Sequence, residues 1–542
     1  MLWCTGMVIP LTLFLVALGA RLFSGALFLD PAYPDSFYYV NVARELAGGH
    51  GLTIDFIWNF VETGGVLPAA GVLPIPSNAH WMPLASLVQV PFIWLLGPTA
   101  LASALPFWLA SAAVAPVTYW VARDTGLAKW QAVAAGLMVA MPALVDPFLA
   151  QPDNFGLFML LGTLSLWACA RGLRGDRRAF ALGGVLVGLA FLSRNDGVLL
   201  GIPFALAVLA DLIRTPRASR IGWPAALLCA GGFLLLASPW IARQLVVFGS
   251  ISPSAASGRI LWITKYEELY SVSIPANLSI FLGQGIGPLI TSRILGLVNA
   301  LGLFATQPLL IFLAPFLVLA TWWKRHDLAF RPWIIYAAVL FLSSGLLFAV
   351  HVPNGTFLHS AVALIPYAYI LTLLGIAGVV AAVGRRRPKW DAVQATTVYT
   401  LTAVGAVVIV AVVGSFLTAR TWQRAQDVAV AVAAPLRDVP ITDRVMTPDA
   451  GGFRYLTGRG GVVTPEDPLP VVEDVLRRYD IRWLVLERAF LTEALAPVLD
   501  GTTRPDWLSA PIVTVPGQTE TSRSAAALYA VCLTPDDTRC TR

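Results

Sequence analysis

Five stretches of the chain, 99–122, 221–242, 294–323, 332–384 and 392–419, contain no Asp, Glu, Lys or Arg at all. A helix that crosses a bilayer needs about 20 apolar residues in a row. Backbone in hydrocarbon has no water to bond, so runs of this kind must close their own hydrogen bonds as helices. The stretch 332–384 is long enough for two crossings around the polar break His351-Val352-Pro353-Asn354-Gly355. Shorter apolar runs at 5–28, 130–149, 154–171, 179–193 and 197–213 bring the expected number to about eleven helices. Only 13% of the residues are charged, against roughly a quarter in soluble proteins. A soluble enzyme is excluded for most of the length.

Charge is unevenly placed. Residues 420–542 hold 14 Lys/Arg and 16 Asp/Glu. The expected organisation is therefore a membrane domain, 1–419, followed by a water-soluble tail, 420–542. Basic residues cluster at alternate breaks between apolar runs. One set is Arg123/Lys129, Arg171/Arg174/Arg177/Arg178, Arg214/Arg217/Arg220, Lys324/Arg325/Arg331 and Arg385/Arg386/Arg387/Lys389. The other side, before the tail, has only Arg44, Arg194, Arg243, Arg259 and Lys265. The positive-inside rule makes the first set cytoplasmic. An odd number of helices then places the N-terminus inside and the tail outside, in a multi-pass plasma-membrane protein. No Lys or Arg precedes Arg21, which argues against a cleaved signal peptide. The net charge of +6 sits in short clusters between apolar spans, so no nucleic-acid partner is expected.

The tail reads as a small α/β domain. Arg444–Thr447 and 481–486 have strand composition, 468–479 has helical periodicity, and 525–533 is a further apolar strand. Pro448–Gly452 and the run Gly458-Arg459-Gly460-Gly461 read as turns. Cys532 and Cys540, eight apart in an exported tail, are candidates for a disulfide.

Chemistry is sought at the few polar positions on the outer side. The polar segment 30–82 follows the first helix, and loops of that length in a compact protein are usually functional. Asp35 opens a helix running to Ala47 whose stripe of Phe37, Tyr38, Val42 and Leu46 suits the membrane surface. Two roles are open to it, a helix N-cap or a carboxylate facing an active site. The segment returns through Asn78-Ala79-His80-Trp81-Met82-Pro83-Leu84, and 84–97 reads as a second surface or half-inserted helix. Asp153 stands between two apolar helices, where an ionised carboxylate must be solvated, paired or used. Arg194 and Asp196 either pair locally or bind substrate. Arg243, Arg259, Lys265 and Tyr266 lie on the fourth outer segment, where basic residues are rare, so they are candidate anion ligands. For the phosphate of a lipid-linked donor the expected order is Arg243, Lys265, Arg259 and then Arg194. Two outer acids facing outer cations at the membrane boundary suit a lipid-linked phosphosugar: a carboxylate deprotonates or orients an acceptor hydroxyl, and Arg or Lys neutralises a leaving phosphate.

At these residues the chain resembles GT-C membrane glycosyltransferases of the protein O-mannosyltransferase and aminoarabinose-transferase type. Asp35, in Tyr33-Pro34-Asp35-Ser36-Phe37-Tyr38-Tyr39, matches the family's acid early in the first outer loop. His80-Trp81-Met82-Pro83-Leu84 matches in part a His-Pro-Pro-Leu-like return, with spacing longer by one and one Pro missing. Gln151-Pro152-Asp153 matches an Arg-Pro-Asp-like element with Gln for Arg, and Gly188–Arg194 matches a Gly-Leu-Ala-Phe-Leu-Thr-Lys-like segment. The resemblance spans roughly residues 1–260. It implies inverting transfer of a sugar from a polyprenyl-phosphate-sugar to a lipid, glycan or protein acceptor outside the cytoplasm. In that reading Asp35 is the catalytic acid/base and Asp153 the second site acid, with His80, Arg194, Asp196, Arg243, Arg259, Lys265 and Tyr266 toward substrate. Members differ on metal dependence; a divalent cation, if one binds, is expected at Asp35 and Asp153. The competing readings are a transporter or flippase of lipid-linked saccharides and a non-catalytic binder. A transporter predicts inverted repeats or midplane charges, whereas apart from Arg21 and Arg293 the charges sit at helix ends.

Overall fold

The computed structural model describes residues 2–60, 63, 71–213, 221–256, 258–387, 389–517, 525–534 and 537–540. The basic cluster Arg214/Arg217/Arg220 lies outside them, as do 61–62 and 64–70 of the long polar segment. Among the described residues, eight helices are long and apolar enough to cross a membrane. The pair Lys129–Ala140 and Ala143–Ala150, bent by 59°, makes a ninth. The bend falls at Met141-Pro142, where a proline removes a backbone donor and clashes with the preceding turn. Shorter helices, Arg177–Ser193, Ala314–Lys324 and Arg331–Leu347, accompany them, and the run 294–323, expected as one helix, is divided between Ile286–Thr306 and Ala314–Lys324.

One ion pair lies deep in the bundle. Arg21 is 1% exposed and pairs with Asp146, which is fully buried. Ser24 and Ser415 donate to the same carboxylate at 2.6 and 2.9 Å. The pair joins the first helix, the bent second half of Lys129–Ala150 and the helix Ala392–Ala433. A charge in this position must be neutralised by a partner, which is what the three elements supply.

The polar segment lays the helix Pro34–Ala47 over the end of the bundle. Short helices Leu84–Leu87 and Val90–Leu96 follow in place of a span, with Trp94 and Leu95 exposed as expected of a helix in the membrane surface.

The tail contains the three strands expected near 444–447, 481–486 and 525–533 and two beyond the expected ones: Gly461–Val463, which begins inside the run read as a turn, and Val513–Val515, each three residues long and too short to show a period of their own. Numbered along the chain, the strands are β1 Thr53–Ile54, β2 Phe56–Ile57 and β3 Ile75–Pro76 in the polar segment, then β4 Arg444–Thr447, β5 Gly461–Val463, β6 Ile481–Glu487, β7 Val513–Val515 and β8 Ala526–Ala530 in the tail. The expected turn at 448–452 is shorter than that, because a helix begins at Ala450 with Asp449 as its cap. One edge of the sheet comes from elsewhere: β2, Phe56–Ile57, belongs to the polar segment near the N-terminus and pairs in parallel with β5. The sheet order is β2-β5-β4-β6-β8-β7, parallel from β2 to β6 and antiparallel beyond. Every residue of β5 and β8 is buried, as in a sheet covered on both faces. Part of that cover is the helix Ala392–Ala433. It is 42 residues long, about 63 Å at 1.5 Å per residue, and runs past the end of its apolar stretch at 419. Its last residues, Val432 and Ala433, pack with Val445, Trp483 and Leu528 of the sheet. Cys532 and Cys540 are bonded to each other.

Candidate active site

The helix carrying Asp35 starts as Tyr33-Pro34 dictates. Tyr33 is extended at φ −154° and ψ 165°, the conformation that a following proline favours, and Pro34 fills the first helical position, where no N–H is needed. Capping falls to Ser36, whose Oγ accepts from the N–H of Ala32 at 3.0 Å and of Tyr33 at 3.2 Å. The N-cap position falls on Tyr33, so Asp35 lies inside the first turn and does not have the N-cap role open to it in the sequence. Asp35 lies in the first turn with its carboxylate free to face the bundle, 19% exposed, its Oδ2 3.6 Å from His359 Nε2. A helix N-terminus favours negative charge there.

Asp153 caps the helix Asn154–Leu173, accepting from the Asn154 N–H at 2.5 Å. Its side chain is fully buried, and its Oδ2 lies 3.7 Å from His359 Nδ1. The Tyr33 hydroxyl donates to the same oxygen at 3.0 Å. His359 therefore stands between the two acids. Phe155 stacks on its ring at 3.9 Å, and its Nδ1 is 3.1 Å from Asn154 Oδ1. One ligand atom from each of Asp35, Asp153 and His359 lies within 4.8 Å of the others. Two carboxylate oxygens and an imidazole nitrogen are a donor set that fits a divalent cation, and burying two anions side by side is costly without one.

Burial and then the charge of Asp153 push the Asp35 carboxyl well above the usual range, while Arg194 opposes. Asp449, from the turn after β4, adds to the rise, so the tail brings a third acid toward the site. Burial raises Asp153 to about 6 against the pull of its bonds from Asn154 and Tyr33. The two acids titrate as a pair.

His359 was not singled out in the sequence. It lies inside the charge-free stretch 332–384, read as two crossings interrupted at 351–355. The available signal was a second His eight residues after His351 in an otherwise apolar run.

Asp35 and His359 open onto a cavity, and Asp153 is buried beside them. Asp35, His359, Asn154, Arg194 and Asp196 line its polar part, and Leu199, Leu340, Phe348, Val352 and Phe357 an apolar part. Ser343 and Ser344 reach the wall from a π-helical turn, Ser343–Leu347, a distortion frequent at functional sites. Arg194 caps the end of Arg177–Ser193. Its Nε donates to Asp196 Oδ1 at 2.9 Å and to Ser360 Oγ at 3.0 Å, so the local ion pair is present and itself forms part of the wall. His80 and Tyr266 also line the cavity. Burial, aided by His351 and Arg194, lowers His80 to about 3 and keeps it neutral; burial pushes the Tyr266 hydroxyl up to about 12.

The other cations lie elsewhere. Arg243, ranked first as a phosphate ligand, donates to the carbonyl of Ser77 at 2.8 Å and stacks 4.9 Å over Trp240. Its neighbour Gln244 donates to the carbonyl of Asn78 at 2.8 Å. Both clamp the loop that carries His80. Arg259 is buried and donates to the carbonyls of Ser271 and Val272. The physical reason is common to both: a guanidinium offers five donors in a fork, and irregular buried backbone offers carbonyls that no water reaches. Lys265 is exposed beside Tyr266. Among the described residues, Arg194 is the one Arg or Lys on the cavity wall.

Residues 80–242 match the family model described as dolichyl-phosphate-mannose-protein mannosyltransferase. No curated protein matches the chain in sequence. Among solved structures, ArnT from Cupriavidus metallidurans bound to undecaprenyl phosphate superposes with a TM-score of 0.57 at 13% identity, over 96% of this chain and 97% of that one. The same protein in its apo state gives 0.53 at 16% identity, over 97% and 98%. At these identities the likeness is one of fold, and it extends over the bundle and the tail alike. The oligosaccharyltransferase of Archaeoglobus fulgidus is more distant, with a TM-score of 0.48 at 12% identity over 89% of this chain and 69% of that one. The matched segment contains His80, Asp153 and Arg194, and over nearly its whole length the chain shares the fold of ArnT.

Proposed function

We propose that this GT-C-fold membrane glycosyltransferase moves a sugar, with inversion, from a polyprenyl-phosphate-linked donor to a hydroxyl of a lipid, glycan or protein acceptor. The observation that carries the reading is the clustering of Asp35, Asp153 and His359, from three distant parts of the chain, at a cavity with polar and apolar walls that Asp35 and His359 line and beside which Asp153 is buried. The bound undecaprenyl phosphate of the ArnT structure supports a lipid-linked donor. The apolar wall suits the first isoprene units, and the polar wall suits the head. Asp35 takes the proton of the acceptor hydroxyl, the acceptor oxygen forms a bond to the anomeric carbon, and the bond from that carbon to the phosphate oxygen breaks. Arg194, fixed by Asp196 and Ser360, neutralises the departing phosphate; a planar fork pairs with two phosphate oxygens. Asp153 orients His359 and Tyr33 around the base. A divalent cation held by Asp35, Asp153 and His359 would supply charge neutralisation to the same phosphate.

In this reading residues 1–419 hold the reaction, 420–542 fold as the second domain, and the site end of the bundle faces outward from the cytoplasm. The test is transfer from undecaprenyl-phosphate-linked mannose, glucose and arabinose by the purified chain in detergent. Asp35→Asn is nearly isosteric and removes no cap, so it should fold as the wild type and lose transfer by about a hundredfold or more. Near-full activity of Asp35→Asn removes Asp35 from the mechanism. Binding of these lipids without turnover leaves a binder or flippase instead.

A further inference from the structure

Three rings meet on the part of the cavity wall built by the returning polar segment. Trp58 and Trp81 stack with centroids 5.1 Å apart and planes 26° from parallel. His80 stands edge-on to Trp81 at 4.5 Å. All three line the cavity. Tyr38 packs behind both tryptophans at 6.3–6.4 Å.

The loop beneath is held from several sides. The Tyr38 hydroxyl accepts from the Asn78 N–H at 2.7 Å, Asn78 Nδ2 donates to the Trp81 carbonyl at 3.1 Å, and Asn195 Nδ2 donates to the His80 carbonyl at 2.8 Å. Arg243 and Gln244 grip the carbonyls of Ser77 and Asn78. So much support is unusual for a surface loop, and it leaves the rings little freedom.

On this wall His80 Nδ1, Trp81 Nε1 and Ser193 Oγ are buried and have no hydrogen-bond partner. Buried polar atoms are nearly always bonded, and an exception needs an explanation. Stacked aromatic faces beside a few convergent polar atoms are the ordinary composition of a small-molecule site. A pyranose or furanose presents the complementary surface, an apolar C–H face edged by hydroxyls.

We propose that Trp58, His80 and Trp81 form the carbohydrate-recognition wall of the site, with the Trp81 Nε1–H donating to one sugar hydroxyl and His80 Nδ1 bonding another. The proposal rests on the transferase reading above and names where that enzyme reads its sugar. A neutral imidazole has one donor and one acceptor, which matches a hydroxyl and offers no charge to a phosphate. A site built to bond a hydroxyl rejects a ligand that lacks it, because its own buried group is left unpaired. Arg243 acts through this loop as a positioning residue.

The experiment uses the full chain in detergent and two kinds of probe: undecaprenyl phosphate, which has no sugar, and whichever undecaprenyl-phosphate-linked mannose, glucose or arabinose the wild type turns over. Trp81→Phe keeps an aromatic ring and removes the N–H. Its affinity for undecaprenyl phosphate should stay within about twofold of wild type, which also shows that the variant is folded. Its affinity for the sugar-bearing donor should fall about tenfold, the usual worth of one buried neutral hydrogen bond, with the loss in KM more than in kcat. His80→Asn should repeat the pattern. Equal affinity of wild type and Trp81→Phe for the donor overturns the proposal and leaves the transferase intact. Equal loss for both probes, in both variants, makes the loop a structural prop and also overturns it. If the wild type turns over none of these donors, the transferase reading falls first and this proposal with it.

Discussion

At the scale of single residues, the site depends on two acids with different exposure and one shared neighbour. Asp153 is buried as a helix cap, and Asp35 keeps a solvent-facing edge. The charge of Asp153 is the second cause, after burial, of the rise at Asp35. A base works only when deprotonated, so the rate should rise with pH as the pair loses its proton and fall below it. Asp153→Asn keeps a good helix cap and removes the negative charge that holds the proton on Asp35. The pKa of Asp35 then drops, and the acid limb of the pH–rate profile of residual transfer should move to lower pH. A limb that stays in place or moves up would show that Asp35 is not the group being read. Asp35 and Asp153 could be found in the sequence because charged residues are scarce among apolar runs and their placement is informative. His359 could not, because nothing local separates a site histidine from one packed in an apolar helix.

At the scale of elements, the cavity wall depends on how closely Arg177–Ser193 approaches Trp223–Phe248. The first ends at Arg194 and the second carries Arg243 and Gln244. A Cβ on Gly184 would lie 1.7 Å from the carbonyl oxygen of Cys229, and one on Gly188 would lie 3.0 Å from Leu236 Cβ. Small residues four apart let membrane helices pack backbone to backbone. Gly184→Ala should therefore force the helices apart, lower thermal stability in detergent by about 1–3 kcal/mol and reduce transfer. Gly231, on the second helix, has nothing within 4 Å of its missing Cβ, so Gly231→Ala should leave both unchanged. Equal behaviour of the two variants would refute the close-packing argument. The sequence shows both glycines but not which of them faces a neighbour, since that depends on the rotation of one helix against another.

At the scale of the molecule, the tail is built onto the site. Its sheet takes β2 from the polar segment, Asn41 donates to the Gly451 carbonyl at 2.9 Å, and Asp30 accepts from Tyr455 at 2.8 Å and Gln426 at 3.2 Å. The polar segment and the tail thus occupy the same side of the bundle, the side that the charge pattern leads one to expect outside. Labelling tests the absolute direction. In a Cys4→Ser background, Cys540, released from Cys532 by reduction, should react in intact cells with a thiol reagent that cannot cross membranes. Cys169 and Cys229 are buried and should not. Labelling of Cys540 only after lysis would reverse the topology.

The sequence by itself determined the membrane class, where most of the apolar helices lie, three strands of the tail and the positions of two acids outside the apolar runs. Each of these follows from local composition: the thickness of hydrocarbon, the period of apolar residues, and the rarity of charge in a span. The tertiary structure decided which polar groups meet. A guanidinium near the boundary looks the same in sequence whether it faces a phosphate or a carbonyl, and only packing showed that Arg243 and Arg259 hold backbone while Arg194 lines the cavity. It also brought His359 between the acids and β2 into a sheet some four hundred residues away in sequence. Contacts between distant segments depend on the relative orientation of helices, which no local pattern of residues encodes.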